Sequence, residues 1–330
     1  MATRDDVARL AGVSSSTVSY AISGRRRISD ATKERVFAAV RELGYTPNAF
    51  ARGLAGARKG ILALNYPLRD GWSPMEVRYI ETATAAAHAS GFHLLLWPNA
   101  ANDLTTLTEL IAQQLVDGVV AMEVEWDDPR IALFRELDVR FVLLGRTADP
   151  SGLAYVDTDF RATARTALEY LVDRGHRDVM FLGEARFDEG HGPMVRTLAE
   201  LEESARRFGV TLHTFNGPRS YRTGKDALRK LGPATTAVVS FNERATIGLI
   251  HAAQLAGRRI PDQLSVLSIG MGEDAAELDP PVTTLTPPVA ELTEAAIRLL
   301  IADVEGHPVG RPEVLLDARL VERASVRTIE

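Results

Sequence analysis

Three small hydroxyl side chains, Ser15, Ser16 and Thr17, open a short helical pattern that runs to Ile22. Side chains of that size let a helix backbone approach base edges in a DNA major groove about 12 Å wide. Val13 and Val18 are the apolar positions that would bury this helix, while Ser19 and Tyr20 face outward. Arg25, Arg26 and Arg27 just beyond can neutralise phosphates. The same residues also suit a solvated three-helix cap with ordinary surface arginines. Other chemistry is poorly supported. Gly270-Met271-Gly272-Glu273-Asp274-Ala275 satisfies a G-x-G-x-x-A dinucleotide pattern after an apolar run, but Pro280-Pro281 follows too soon for a helix that would hold a pyrophosphate. Gly224-Lys225 lacks the preceding glycine and following Ser/Thr of a phosphate loop. The 7 histidines show no H-x-x-x-H spacing, there is no G-x-S-x-G elbow, and the absence of cysteine removes thiol nucleophiles, thiolate zinc sites and disulfides. Paired carboxylates such as Glu202-Glu203 and Asp127-Asp128 read as solvated helix positions. No catalytic site, cofactor or metal is expected.

The elements around the hydroxyl cluster fit a helix-turn-helix. Thr3 and Asp6 form a capping pattern before a helix with Val7, Leu10 and Ala11 on one side, and Gly12 closes it. Ser14 caps the second helix. Ser29 opens a third, whose apolar side is Val36, Phe37, Val40 and Leu43 before Gly44. Ala11-Gly12-Val13-Ser14 is the tight turn between the first two. Charge separates this head from the rest. Residues 1–60 hold 11 Lys+Arg against 5 Asp+Glu, a net +6, so the remaining 270 residues carry -12 of the chain's overall -6. The longest stretch without Asp, Glu, Lys or Arg, Thr82 to Asn102, contains His88, Gly91, His93 and Pro98 and is poor material for a membrane span. No secretory signal opens the chain, so a cytoplasmic protein is expected.

From Gly60 onward short apolar runs alternate with helical patterns, beginning with Ile61 to Tyr66 and Met75 to Ser90. A second such series starts near Val156 and reaches Ile269. The alternation predicts two similar α/β halves, each a doubly wound parallel sheet, with a ligand cleft at the carboxyl ends of their strands.

Asp6-Val7-Ala8, Ala11-Gly12-Val13-Ser14, Thr17-Val18-Ser19, Ile28-Ser29 and Leu43-Gly44-Tyr45-Thr46-Pro47-Asn48 together resemble the N-terminal signature of the LacI/GalR family of bacterial transcriptional regulators. The likeness continues through Ala51 to Gly56, Gly175-His176-Arg177, Phe241 to Gly248, Pro280 to Thr284 and Leu320 to Ser325, so it covers essentially the whole chain. The resemblance implies an all-α helix-turn-helix head at 1–45, a hinge helix and linker at 46–59, and a body of periplasmic-binding-protein type at 60–330. Its N-lobe would take about 60–156 and 288–316, and its C-lobe about 157–285 and 317–330. Ser15, Ser16, Thr17 and Tyr20 would meet bases, with Tyr20 standing where many members carry arginine. Thr3, Ser19, Ser23, Arg27 and Tyr45 would hold the DNA backbone. Asn48, Ala51 and Leu54 belong to the hinge helix, with Leu54 as a minor-groove wedge. Arg196 and Asn242 would bind effector hydroxyls, with Arg146, Asp157 and Trp72 at the lobe rims.

One position departs from the family pattern: where many members carry an aspartate after a strand, this chain has Gly270 or Met271. Either the effector is less hydroxylated, or Glu123, Glu125 or Glu273 substitutes. The implied function is a homodimeric repressor of pseudo-palindromic operator DNA, controlled by a small molecule such as a sugar. A solute-binding protein or sugar-modifying enzyme without specific DNA binding is the alternative of another class.

Overall fold

The computed structural model describes residues 2–23, 26, 28–45, 59–66, 73–98, 103–185, 190–307, 310 and 312–329. Three helices form the head: α1 (Arg4–Ala11), α2 (Ser15–Ser23) and α3 (Asp30–Leu43). A capping box starts α1, with Thr3 Oγ1 accepting from Asp6 N and Asp6 accepting from Thr3 N, and Gly12 ends it at φ 65°, a left-handed conformation that costs glycine little. Val7, Ala8, Ala11, Val18, Ala21, Val36 and Ala39 make the head core. Two expected core residues lie outside it, since Leu10 is 46% and Phe37 40% exposed. Alanines at 8, 11 and 39 line the buried seam instead, and side chains that small let the helices approach closely, turning the two bulkier residues outward.

The body contains two six-stranded sheets. The first holds β1 (Ile61–Tyr66), β2 (His93–Pro98), β3 (Gly118–Met122), β4 (Phe141–Leu144), β5 (Tyr155–Thr158) and β11 (Glu313–Leu316), in the order β11-β5-β4-β3-β1-β2 with every pair parallel. Helices α4 (Pro74–Ala89) and α11 (Val289–Val304) cover one face, where Ala83, Ala87, Leu292, Ala296 and Leu300 meet Leu62, Leu64 and Val120. Helices α5 (Leu104–Ala112) and α6 (Pro129–Glu136) cover the other, around Leu107, Leu110, Ile131 and Phe134.

The second sheet holds β6 (Asp178–Glu184), β7 (Thr211–Gly217), β8 (Ala237–Ser240), β9 (Ser265–Ile269), β10 (Thr283–Thr286) and β12 (Arg319–Val321), ordered β12-β10-β9-β8-β6-β7. Its edge strand β12 runs antiparallel to β10, the one departure from an all-parallel arrangement among the described strands. Helices α7 (Phe160–Val172) and α8 (Gly192–Phe208) pack on one face, and α9 (Tyr221–Lys230) and α10 (Glu243–Leu255) on the other. The α9–α10 crossing is unusually close: a methyl group at Gly224 would lie 2.0 Å from the Ala245 carbonyl oxygen, and one at Gly248 2.0 Å from that of Tyr221. Only glycine fits either position.

The chain passes between the sheets after β5, after β10 and after β11. Near the C-terminus, buried His176 joins Thr236 Oγ1 and the Arg327 carbonyl through its two ring nitrogens, at 2.9 and 3.1 Å. Gly175-His176-Arg177 thus has a structural task, since Ile329 N also bonds the Arg174 carbonyl beside it. None of the described helices is long and apolar enough to cross a membrane.

Candidate functional site

In the head, the hydroxyls of α2 are organised from Ser14. Its Oγ accepts from Thr17 N at 3.2 Å and lies 2.8 Å from both Ser16 Oγ and Thr17 Oγ1. Ser15 Oγ donates to Asp5 of α1, and Ser19 Oγ donates to the Ser15 carbonyl while accepting from Arg4 at 3.3 Å. Ser16 is exposed, Val18 is fully buried, and Ser15, Thr17, Ser19 and Tyr20 are half-buried. The helix therefore turns Val18 inward and leaves small polar groups at its start within reach of a partner. The Arg26 guanidinium stands 5.8 Å from the Tyr20 ring, within cation–π range. Thr3 is occupied by its capping box, and Tyr45 packs partly against the head core. Nothing is described for the Ser23 side chain, and Arg27, Asn48, Ala51 and Leu54 lie outside the described residues, as does Trp72 of the body.

The body begins at a fixed point. Asp117, just before β3, accepts the backbone N–H groups of Lys59, Gly60 and Ile61 at 2.9, 2.6 and 3.2 Å, while Lys59 Nζ donates to the Val116 carbonyl. One carboxylate thereby fastens the start of the body to the first sheet.

A cavity of about 160 Å³ lies between the two sheets at the carboxyl ends of their strands. Tyr66, Met122, Leu144 and Thr158 reach it from the first sheet, Glu184 and Ile269 from the second. Arg219, beside the Ser220 cap of α9, crosses from the second lobe to the first and donates from Nη1 to Glu76 Oε1 at 2.9 Å. It also lies 4.0 Å from each of Glu184 and Glu243. Glu76 is the third residue of α4, where its capping box with Ser73 fixes it, and the Tyr66 hydroxyl donates to the same carboxylate. Burial opposes the Glu76 charge, but the bonds from Tyr66 and Arg219 prevail and hold its carboxyl below the usual range. At Glu243 burial and the Asp274 charge prevail, and its carboxyl moves up.

The other wall is built around Glu123, Asp157 and His191. His191 stands at the N-cap position of α8 without a side-chain cap bond, its Nε2 lies 3.1 Å from Glu123 Oε2, and its buried Nδ1 has no hydrogen-bond partner. Asp157 Oδ2 is 3.2 Å from Arg146 Nε without hydrogen-bond alignment, and burial pushes its pKa up to about 7 despite Arg146 and Arg196 nearby. Burial and the charges of Asp157 and Glu123 raise Tyr79, which keeps its hydroxyl neutral. Beneath this wall, fully buried Arg130 bonds Asp128, Asn65 Oδ1 at 2.7 Å and the Met122 carbonyl at 2.9 Å, bracing the turn that holds Glu123 at φ 52°.

The residues expected to touch an effector are thus distributed unevenly. Asp157 lines the cavity, with Arg146 paired behind it. Arg196 is not among the lining residues: its guanidinium donates to the Thr147 carbonyl and stacks 4.9 Å from the Trp126 ring, joining the lobes directly. Asn242 does not line the cavity either, because its side chain accepts from Ala245 N to cap α10 and turns its amide toward the Gly183 and Pro218 carbonyls. Of the three proposed substitutes for the absent aspartate, Glu123 lines the cavity, Glu125 pairs in a short bridge with His191, and exposed Glu273 pairs with Arg78 at 3.2 Å. Gly270 reaches the cavity while Met271 is buried with Ile250, Ala275 and Val282. The second half of the G-x-G-x-x-A run lies in a four-residue 3₁₀ turn, Glu273–Ala276, too short to seat a pyrophosphate. Arg219 and Glu184 carry no sequence pattern that singles them out, whereas Glu243 lies in the family-like run Phe241 to Gly248 and Ser73 and Glu76 show a capping spacing.

Residues 3–48 match the family described as bacterial regulatory proteins, lacI family, and residues 168–326 match the periplasmic binding protein-like domain. The chain belongs to the LacI family of bacterial regulators. Among curated members, the HTH-type transcriptional repressor PurR of Erwinia tasmaniensis is 29% identical over 99% of this chain and 97% of its own length. Catabolite control protein A of Staphylococcus xylosus is 27% identical over 98% of each. A solved structure described as a transcriptional regulator CelR–cellobiose complex is 26% identical, with a TM-score of 0.74 over 98% of this chain and all of the other. The lac repressor dimer bound to operator and an anti-inducer, at 22% identity, shares the fold with a TM-score of 0.84 over 99% of each chain. The LacI-family chain is a DNA-binding transcriptional regulator, and its family members are regulators rather than enzymes.

Proposed function

We propose that this protein is a homodimeric repressor that binds a pseudo-palindromic operator and changes its grip when a small molecule enters the interlobe cavity. The observation that carries the reading is the pairing of two devices in one chain. A helix with small hydroxyls at its exposed start sits in a basic head, and a cavity between two lobes is spanned by side chains from both. Ser15, Ser16, Thr17 and Tyr20 are assigned to bases, and Thr3, Ser19, Ser23, Arg27 and Tyr45 to the backbone. Asn48, Ala51 and Leu54 are assigned to a minor-groove hinge. Two heads are needed for two half-sites, so the working unit is a dimer acting in the cytoplasm without catalysis.

The effector is of sugar size, in keeping with the cellobiose named for the CelR structure. Asp157 contacts it directly, Arg146 holds Asp157, and Arg196 and Asn242 control lobe closure and the α10 cap rather than the ligand itself. Trp72 is retained as a rim contact. An effector shifts operator affinity only by its differential affinity for two arrangements of the lobes. The ion pair from Arg219 to Glu76 and the bond from Arg196 to Thr147 are the contacts that such a shift would remake. Footprinting on the regulator's own genomic DNA tests the reading. A protected pseudo-palindrome is expected, and weak binding that ignores sequence would sink it.

A further inference from the structure

The polar side chains that line the interlobe cavity fall into two groups. One is an ion network that closes on itself. Glu76, Glu184 and Glu243 surround the Arg219 guanidinium, Glu76 also accepts from Tyr66 and from Ser73 N, and the charge of Arg244 acts on Glu243. Glu123 is paired in the same manner with His191 Nε2. Glu76, Glu123, Glu184, Arg219 and Arg244 all have protein partners beyond these. Groups that already satisfy one another gain little from a ligand, because each bond made to it is exchanged for one inside the protein.

The second group, Tyr79, Asp157 and His191, has hydrogen-bonding capacity to spare. Asp157 and His191 are 4% and 6% exposed. Asp157 Oδ2 is ion-paired with Arg146 Nε at 3.2 Å yet takes no hydrogen bond, and His191 Nδ1 has no hydrogen-bond partner. The Tyr79 hydroxyl makes no hydrogen bond among the described residues, although the charges of Asp157 and Glu123 both act on it. In the tautomer that donates Nε2–H to Glu123, His191 Nδ1 is an acceptor, so the three side chains offer one O–H donor and two acceptors. Buried polar atoms without partners are costly, and these share one cavity. A hydroxyl or a carboxamide both donates and accepts, which is what they lack.

Much of the remaining lining is apolar. Met122, Leu144 and Ile269 end their strands at the cavity, and Phe160 and Phe241 meet there with ring centroids 5.7 Å apart and planes tilted by 58°. An aromatic ring packs edge to face against such rings, whereas a polyol carries hydroxyls around its whole edge and forfeits a hydrogen bond to water for each one buried against them. Size agrees, since a cavity of about 150 Å³ holds benzene, and this one is about 160 Å³.

We propose that the effector is a molecule of one aromatic ring carrying a hydroxyl or a carboxamide, with its ring among Met122, Leu144, Phe160 and Phe241 and its polar group on Tyr79, Asp157 and His191, an inference that rests on the cavity being the effector site. Tyr79 and Asp157 belong to the first lobe, and His191, Phe160 and Phe241 to the second. One small occupant therefore touches both lobes and favours the arrangement in which its ring and its polar group are both accommodated. The Arg219 network joins the lobes beside the ligand without bonding to it.

Calorimetric titration of the full chain with phenol, benzamide, toluene, glucose and cellobiose tests this. Phenol or benzamide is expected to bind about tenfold more tightly than either sugar, whose hydroxyls the apolar lining leaves unpaired. The same probe should bind about fivefold more tightly than toluene, the margin that a hydrogen bond supplies. Tyr79→Phe, checked for folding by circular dichroism, removes most of the margin over toluene while toluene itself binds as before, whereas a tyrosine with a purely structural role would move both probes together. Phe241→Leu weakens toluene and the polar probe alike. A sugar that binds as tightly as both polar aromatics, toluene that matches them, or a margin over toluene that survives Tyr79→Phe overturns the proposal. A protein that prefers glucose or cellobiose, and whose operator footprint responds to that sugar, retains the proposed function and loses only this inference.

Discussion

The head and the interlobe cavity are both recognition surfaces, but they are assembled in opposite ways. In the head, the clustered hydroxyls belong to four consecutive residues, Ser14 to Thr17, and most of their hydrogen bonds close within the same turn. In the body, the carboxylates around Arg219 come from α4, β6 and α10, with the first and last of them, Glu76 and Glu243, more than a hundred residues apart in the chain. A local surface survives damage to distant packing. A surface gathered from several elements depends on every contact that holds those elements in place.

That contrast can be broken by experiment, most severely at Arg130. Arg130→Met leaves Asp128 buried without its cation and removes the brace under Glu123, which costs about 3–5 kcal/mol. Urea melts should show the loss in the body. A near-neutral result would mean that the buried pair is not what holds the Glu123 wall.

Gly224→Ala follows, with a cost of about 1–3 kcal/mol from a methyl group forced against the Ala245 carbonyl. Because α9 starts beside Arg219, the substitution should also displace that guanidinium and alter effector binding although Gly224 does not line the cavity. Unchanged effector binding in a destabilised protein would show that the cavity is less dependent on distant packing than the comparison holds.

In the head, Ser14→Ala removes the acceptor for Thr17 N and the hydroxyl that positions Ser16 and Thr17, at a cost of about 1 kcal/mol. Operator affinity should fall, while calorimetric binding of an effector to the body remains as in the parent. A change in effector affinity would contradict the local character of the head.

The remaining expected effect is a pH slope at Asp157. Its carboxyl titrates at about 7 in the folded protein against 3.8 for the ordinary group, so between those values the folded state keeps a proton that the unfolded chain has released. Stability attached to this residue is therefore present at low pH and is lost as pH rises from about 4 to 7. Asp157→Asn should flatten the decline in urea midpoint between pH 5 and 7.5, and parallel profiles for the two proteins would refute the assignment.

Legibility in the sequence follows the same division. The head helices, their caps at Thr3, Ser14 and Ser29, and the alternating strands of both lobes are written as local spacing. Leu10 and Phe37 show the limit even there, since both satisfy a helical period and both are exposed, because a face can be read from periodicity but its rotation against the neighbouring helix cannot. At the cavity the limit is wider. Arg196 and Asn242 have the right chemistry for a ligand, yet one bonds the opposite lobe and the other caps α10. Arg219 stands in an unremarkable stretch before a cap and becomes the central cation of the cavity only because α9 brings it opposite α4.

By itself the sequence determined the three-helix head, its charge contrast with the acidic body, the paired α/β lobes and membership of a DNA-binding regulator family. The first three depend on periodicity, capping and composition, where neighbours in the chain are neighbours in space, and the last on the resemblance of motifs along the chain. Tertiary structure alone decided which carboxylates share Arg219, that Glu123 rather than Glu125 or Glu273 lines the cavity, and that Arg196 joins the lobes. Those outcomes depend on how the strands of two separate sheets end at a common gap, and a distance across that gap has no counterpart in residue spacing.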